Sequence, residues 1–426
     1  MPRGVRRSSG RSGKKWVRPP AWWEASPVEI MVGPVAHVYR GLLGDLSFRA
    51  YPHREDWSMK KSLRFVGLDV HKDTITVAVA EARGGPAEVV EVIPNDGVAL
   101  YKVLDRLGPP RWLRVCYEAG PTGFGLARRL RAAGIDCLVA APSLVPVQKG
   151  CRIKTDRRDA RKLAQFLRSG DLVAVAIPDE ETEAMRDLER ARGDAKIAER
   201  AARQQLDKFL LRHERIWRDG TKWTQRHWRW IRQQEFVDVK LRSVGQDYQT
   251  AVEQATARVE RVTADIAQFA ETCSLAPRIK AFQALRGVDV VTAVVLAAEI
   301  GDFKRFGSPR NLMAFVGLVP SEHSSGASSR RGRITRTGNK HVRWLLTEAA
   351  WNYQFYPKAS KRIKARRKWV SAEVRAIAEK AEQRLYRRFQ RLLRKGKQRN
   401  RVVTAIAREL CGFIWAIARE EKLLAA

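Results

Sequence analysis

Four carboxylates in this chain stand where they could hold a divalent cation. Asp69 ends the apolar run Leu63-Arg64-Phe65-Val66-Gly67-Leu68-Asp69, and Glu118 ends a second, Leu113-Arg114-Val115-Cys116-Tyr117-Glu118. Asp156 and Asp159 lie in Lys154-Thr155-Asp156-Arg157-Arg158-Asp159-Ala160, at the start of a helical pattern. Each apolar run reads as a buried strand, so each delivers an acid to a strand end. Residues three apart share a helix face, which lets Asp156 and Asp159 point at one centre. Carboxylates converging on a phosphate suit Mg²⁺, a hard cation that takes carboxylate, water and phosphate ligands, bound singly or as a two-metal pair.

A second constellation is Gly317-Leu318-Val319-Pro320-Ser321-Glu322-His323-Ser324-Ser325-Gly326, followed by Arg330, Arg331, Arg333, Arg336, Lys340 and Arg343. Serines beside glycine in a loop can approach a phosphate closely, because glycine removes side-chain bulk. The guanidinium groups would hold that phosphate and offset charge in a transition state. A serine hydroxyl is a weak nucleophile until activated, and a metal can supply the activation. The same composition also describes a solvated or phosphate-contacting loop, so this segment alone does not decide.

The elements that must position these groups can be followed along the chain. Residues 63–70, 74–80 and 88–93 read as three short strands, with Gly84-Gly85-Pro86 as a turn, and predict an antiparallel meander. A helix over 98–107, a strand over 113–117, a helix over 124–133, a strand over 135–140 and a helix over 157–169 follow. The order β-β-β-α-β-α-β-α is that of an RNase H/RuvC-like α/β fold. Residues 183–215 and 247–269 are Ala-, Arg-, Glu- and Leu-rich and predict two long amphipathic helices pairing as an antiparallel coiled coil. Between them Trp217, Trp223, Trp228 and Trp230 alternate with Arg and Lys, the pattern of a hairpin core or of a nucleic-acid stacking patch. Residues 284–306 resemble a helix-hairpin-helix with Asp289 in the place of its second glycine, either a phosphate-binding turn or a structural one. From 358 to 401 the chain is heavily basic. A helix over 374–393 carries Arg on most faces, Lys395-Gly396-Lys397 breaks it, and a last amphipathic helix spans 402–418. That run is expected to contact phosphates without regard to sequence, or to be a solvated face.

Composition bounds the partners. The chain has 426 residues, with 81 Lys+Arg against 46 Asp+Glu, a net charge of +35. Such an excess calls for a polyanion, and DNA or RNA is the default. No apolar run is long enough to span a bilayer. The five cysteines are scattered without a CxxC pair, and only 7 histidines are present, which argues for a reducing cytosol and against a disulfide framework, a zinc site or a His-rich metal cluster. The expected domains are 1–58, a basic disordered arm or residues upstream of a start at Met59; 59–178, the α/β domain with the acids; 179–276, the coiled coil; and 277–426, a small helical domain with the serines.

Taken together, Gly67-Leu68-Asp69-Val70-His71-Lys72, Tyr117-Glu118-Ala119-Gly120-Pro121-Thr122-Gly123 and Lys154-Thr155-Asp156-Arg157-Arg158-Asp159-Ala160 resemble the N-terminal motifs of DEDD-type insertion-sequence transposases. Gly317-Leu318-Val319-Pro320 through Ser324-Ser325-Gly326 to Gly338-Asn339-Lys340-His341-Val342-Arg343 resembles their C-terminal transposase domain. The family is the insertion-sequence family numbered one hundred and ten, the bridge-RNA-guided recombinases, and the resemblance runs from about Met59 to the C-terminus. It implies an RuvC-like domain, a coiled coil and a small helical transposase domain, with Asp69, Glu118, Asp156 and Asp159 as Mg²⁺ ligands. It also implies that a serine, Ser325 or the adjacent Ser324, attacks the phosphodiester and is held covalently. Arg330, Arg331, Arg333, Arg336, Lys340 and Arg343 would contact nucleic acid. The implied partners are donor and target DNA, a noncoding bridge RNA and further copies of the chain in a homodimer or homotetramer, in the cytoplasm and with no membrane. Two other readings fit the residues: an RuvC-like nuclease that resolves branched DNA with metal-activated water, and a non-catalytic basic protein that packages nucleic acid.

Overall fold

The computed structural model describes residues 62–146, 155–325 and 328–425. The expected basic arm at 1–58, like Lys154 and Gly326, lies outside the described residues.

A five-stranded mixed sheet opens the described chain. Its strands are β1 (Arg64–Val70), β2 (Thr74–Glu81), β3 (Glu88–Pro94), β4 (Leu113–Glu118) and β5 (Asp136–Ala140), in the spatial order β3-β2-β1-β4-β5. The short gaps between β1, β2 and β3 make that half antiparallel, whereas β1, β4 and β5 run parallel. Crossovers α1 (Gly97–Leu107) and α2 (Gly125–Ala132) cover one face of the sheet, on a core that includes Val66, Leu68, Val77, Val115 and Tyr117. Helix α3 (Asp156–Ser169) covers the other face, packing Leu163 against Cys116 and Ala140. Gly67 makes this covering possible. A Cβ there would lie 2.3 Å from the carbonyl oxygen of Ala160 and 2.5 Å from the nitrogen of Ala164, so the helix backbone rests directly on the strand.

Two long helices follow, α4 (Glu180–Arg212) and α6 (Val239–Thr272). Glu181 accepts from the Ser274 N–H, Arg192 donates to Thr263, Thr256 donates to Glu199, and Phe209 packs on Tyr248. Rising numbers on one helix meet falling numbers on the other, so the pair is antiparallel. The tip between them holds α5 (Gln225–Arg232), where Trp217, Trp223 and Trp230 surround the buried His227 and Trp228 packs beside Trp223. Arg203, Arg226 and Arg232 lie over Trp223, Trp217 and Trp228 at 5.2, 5.8 and 5.7 Å from the ring centroids. The tryptophans thus build the hairpin tip, with guanidinium groups from the same tip on their faces.

The remaining chain is mostly helical: α7 (Ala276–Phe282), α8 (Val290–Ile300), α9 (Pro309–Phe315), α10 (Lys340–Trp351), α11 (Lys361–Arg367), α12 (Ala372–Arg394) and α13 (Arg399–Ala418). Helix α8 is apolar nearly all round, and its residues from Val291 to Ile300 are buried at the centre of this core. Its C-terminal carbonyls would be orphans inside an apolar core. Arg186 donates to Ala298, Arg305 to Ile300 and Arg278 to Gly301, so guanidinium groups from three elements close that end.

One expectation is corrected and two are refined. Asp289 caps α8, its carboxylate accepting from the Thr292 N–H at 2.8 Å, so it occupies a donor a phosphate would need; the turn is structural. Helix α12 keeps one buried stripe, Val374, Ala378, Ala381, Leu385 and Phe389, and its exposed arginines, Arg375, Arg384, Arg387, Arg391 and Arg394, occupy the rest of its circumference. The serine segment is not a loop but half of a β-hairpin, β6 (Pro320–Ser325) against β7 (Ser328–Ile334). Runs of Ser and Arg conceal that strand pattern, because they supply no apolar residues at alternate positions to mark a strand. Among the described residues no helix is long and apolar enough to cross a membrane.

Candidate active site

The sheet register delivers the first two acids. Leu68 pairs with Tyr117 across parallel strands β1 and β4, so Asp69 and Glu118 come next in line at the same edge. Side chains alternate along a strand. Leu68 and Tyr117 point into the core under α1 and α2, and their successors therefore point to the α3 side. Helix α3 begins there. Thr155 caps it by accepting from the Arg158 N–H, and Asp156 and Asp159 fall in its first turn, where the helix dipole favours negative charge.

The structure brings Asp69 and Asp156 together and adds His71 between them. The ligand atoms of these three residues all lie within 4.8 Å of one another. The His71 Nε2 is 3.3 Å from Asp69 and 3.6 Å from Asp156. Asp159 stands one turn along α3, 3.5 Å from the Lys162 ammonium, and Glu118 ends the neighbouring strand; neither belongs to the compact triad. Burial is the largest influence on Asp69 and raises its pKa above the usual carboxylate value. His71 opposes that rise, while the charges of Asp156 and Asp159 add to it. Like charges gathered at a half-buried strand end are unfavourable unless a cation joins them, and two carboxylate oxygens with an imidazole nitrogen are a fitting donor set for a divalent ion. His71 was not singled out from the sequence. The signal was its place two residues after Asp69, which extended backbone turns to the same side.

The serine hairpin is anchored at its base. The Thr335 N–H donates to Val319 and the Arg336 N–H to Gly317, continuing the ladder below the strands. Gly317 and Gly338 both adopt positive φ, at +69° and +75°, and added Cβ atoms would sit 2.1 Å from the Thr337 carbonyl oxygen and 1.9 Å from that of Phe315. Only glycine fits either place. Toward the tip, Ser325 pairs with Ser328 and Ser324 with Ser329. The Ser324 hydroxyl donates to the Glu322 carboxylate at 2.8 Å, and Arg331 lies 3.7 Å from the same carboxylate. Alternation puts Ser325 on the opposite face, the face of Arg330. Arg330, Arg331 and Arg333 are exposed. Arg343 differs: it donates to the carbonyls of Val316 and Thr337, and burial lowers its pKa.

A polar clasp around the buried carboxylates Glu189 and Glu299 joins the regions. Glu183, near the start of α4, pairs with Arg128 of α2, and two turns later Arg190 pairs with Glu299 of α8 at 2.7 Å. Glu299 also accepts from Asn339, which caps α10, and Glu189 lies 3.0 Å from His341.

Comparison with known proteins agrees with this arrangement. Residues 66–213 match the DEDD transposase model of the IS110 family, and residues 279–364 match the model described as transposase IS116/IS110/IS902 family. A Sinorhizobium fredii protein named as a transposase, y4qE, is 44% identical over 84% of this chain and 89% of its own length. The transposase for insertion sequence element IS1533 of Leptospira borgpetersenii is 34% identical over 80% of this chain and 99% of its own. The acids and the serine hairpin thus lie within the two matched segments of one chain, and the chain belongs to the IS110 family of insertion-sequence transposases, enzymes that cleave and rejoin DNA.

Proposed function

We propose that this transposase works through a covalent phosphoserine. The Ser325 oxygen attacks a phosphodiester at an element junction, an O–P bond forms, and the bond from phosphorus to the 3′-oxygen breaks. The 3′-hydroxyl leaves with a proton, and its return attack on the phosphoserine rejoins a strand without outside energy. Asp69, Glu118, Asp156 and Asp159, with His71 beside them, hold Mg²⁺, which when bound neutralises charge on the scissile phosphate. Arg330, Arg331, Arg333, Arg336 and Lys340 grip the phosphates around the serine, and Arg343 braces the hairpin base. A bridge RNA pairs with donor and target DNA and selects both, as base pairing does in other RNA-guided systems. Two or four copies of the chain assemble on the DNA in the cytoplasm. The observation that carries this reading is the pairing, in one chain, of a compact acid–imidazole cluster with an exposed serine on an arginine-lined ribbon.

One contact favours a second assignment of the nucleophile. Ser324 donates to Glu322, a carboxylate that could accept its proton as it attacks. Covalent trapping on labelled junction DNA, with the flanking RNA and Mg²⁺, separates the readings. An SDS-stable adduct lost in Ser325→Ala and in Asp69→Asn supports the proposal. An adduct lost in Ser324→Ala and Glu322→Gln moves the nucleophile to Ser324. Cleavage without an adduct, indifferent to both serines, would make this a metal-dependent nuclease.

A further inference from the structure

Between Glu348 and Glu373 the chain has no acidic residue, and within that stretch lie Phe355, Tyr356 and Trp369. All three are exposed, at 61%, 71% and 72%. Three open aromatics in one segment forgo the stabilisation that burial of large apolar side chains gives. A single exposed aromatic is ordinary. What distinguishes this segment is how firmly its backbone is held while its rings stay open.

The anchors point inward, Arg367 buried and Arg286 and Arg366 half-buried. Arg286 donates to the carbonyls of Phe355, Tyr356 and Lys358, and is itself 3.5 Å from the buried Glu382. Arg367 binds Glu382 at 2.9 Å and the Ala284 carbonyl at 3.2 Å, while Arg366 donates to Val288. The Trp369 carbonyl accepts from the Ala425 N–H, and Val370 bridges to Leu424. Helical spacing then sorts the side chains of α11 and the turn after it. Ile363, Arg366, Arg367 and Val370 fall on the inner arc. Lys361, Arg362, Lys364, Lys368 and Trp369 fall on the outer arc, and all five are exposed.

We propose that this outer face is a stacking site for unpaired DNA nucleotides, with Trp369 under a base and the four cations on the flanking phosphates. Phosphates alone would need only the cations. The open indole face suits a base whose own face is free, which a duplex hides and a strand released for exchange offers. The inference rests on the reading of the chain as a DNA strand-transfer enzyme. It does not depend on which serine is the nucleophile.

The test uses the full chain without divalent cation and fluorescence anisotropy of a short fluorescein-labelled oligothymidylate, set against a duplex of the same length. Trp369→Ala weakens single-strand binding about tenfold, Trp369→Phe retains most of it, and duplex affinity holds within about twofold. The double variant Lys361→Ala/Lys364→Ala lowers the slope of log affinity against log salt by about 1.4 on the single strand. An equal loss on duplex and single strand would reduce the site to phosphate contact and overturn the proposal, as would no change in Trp369→Ala. Binding of an oligouridylate more than about tenfold tighter than the DNA strand would overturn the assignment to DNA. Thermal melting checks each variant. Should Trp369→Ala melt early, the phenylalanine and lysine variants carry the test. Adduct formation is read separately, so a lost adduct with intact strand binding contradicts the serine mechanism and spares this site, and the converse holds.

Discussion

The acidic cluster and the serine hairpin are built in opposite ways. Asp69 and Glu118 are fixed by the register of a buried sheet, and Asp156 by a capped helix that rests on Gly67. The hairpin is a two-stranded ribbon whose Ser324, Ser325, Ser328, Arg330, Arg331 and Arg333 are exposed, tied down at its base by Gly317, Gly338 and a short extension of the ladder. A lone two-stranded ribbon is marginal in water. The acids are set in place by folding, whereas the serine depends on the base of its ribbon and, in the function proposed above, on a phosphate held by its arginines.

The largest effect is expected where chemistry is removed without touching packing. Ser325→Ala and Asp69→Asn each cut strand transfer by about a thousandfold or more, with thermal stability unchanged for the exposed serine, as read by joining of labelled strands and by melting. Gly67→Ala sharpens the contrast. Its Cβ meets helix backbone at 2.3 Å, so α3 must lift from β1, at a cost of about 3 kcal/mol in urea unfolding, and activity falls with stability. Gly338→Ala costs less stability, about 1–2 kcal/mol, but abolishes transfer out of proportion, because it shifts only the hairpin base. Equal ratios of activity loss to stability loss in the two glycine variants would break the comparison.

The smallest effect concerns the clasp. The Glu189 contact raises the His341 pKa, and burial raises that of Glu189. A base with a raised folded pKa contributes stability that is complete below its unfolded value and lost as pH rises through the folded one. An acid with a raised folded pKa acts in the same direction, losing stability once pH passes its unfolded value. Stability therefore declines as pH rises above the ordinary imidazole value of about 6.5, by no more than about 1 kcal/mol because the imidazole is 37% exposed to solvent screening. His341→Gln flattens that dependence in urea unfolding.

Much of the fold is legible in the sequence. Strong apolar runs with acids at their ends mark β1 and β4, and Gly170 marks the end of α3, because burial and capping leave periodic, local signatures. The hairpin is not legible, since an exposed ribbon of Ser and Arg has no apolar face to betray its period of two. The sequence leaves the turn at Asp289 open because a cap and a phosphate-binding turn share the same backbone donors. The clasp of Glu189, Glu299, Asn339 and His341, like the approach of His71 to Asp156, arises from contacts between elements far apart in sequence, which no local pattern encodes.

The most direct test is to trap the adduct on junction DNA, digest it with nuclease and protease, and find by mass spectrometry which side chain carries the nucleotide. The account predicts a nucleotide on Ser325, present with Mg²⁺ and absent in Asp69→Asn. Cleaved DNA with no modified serine in the peptide that contains residues 321–330 would contradict it.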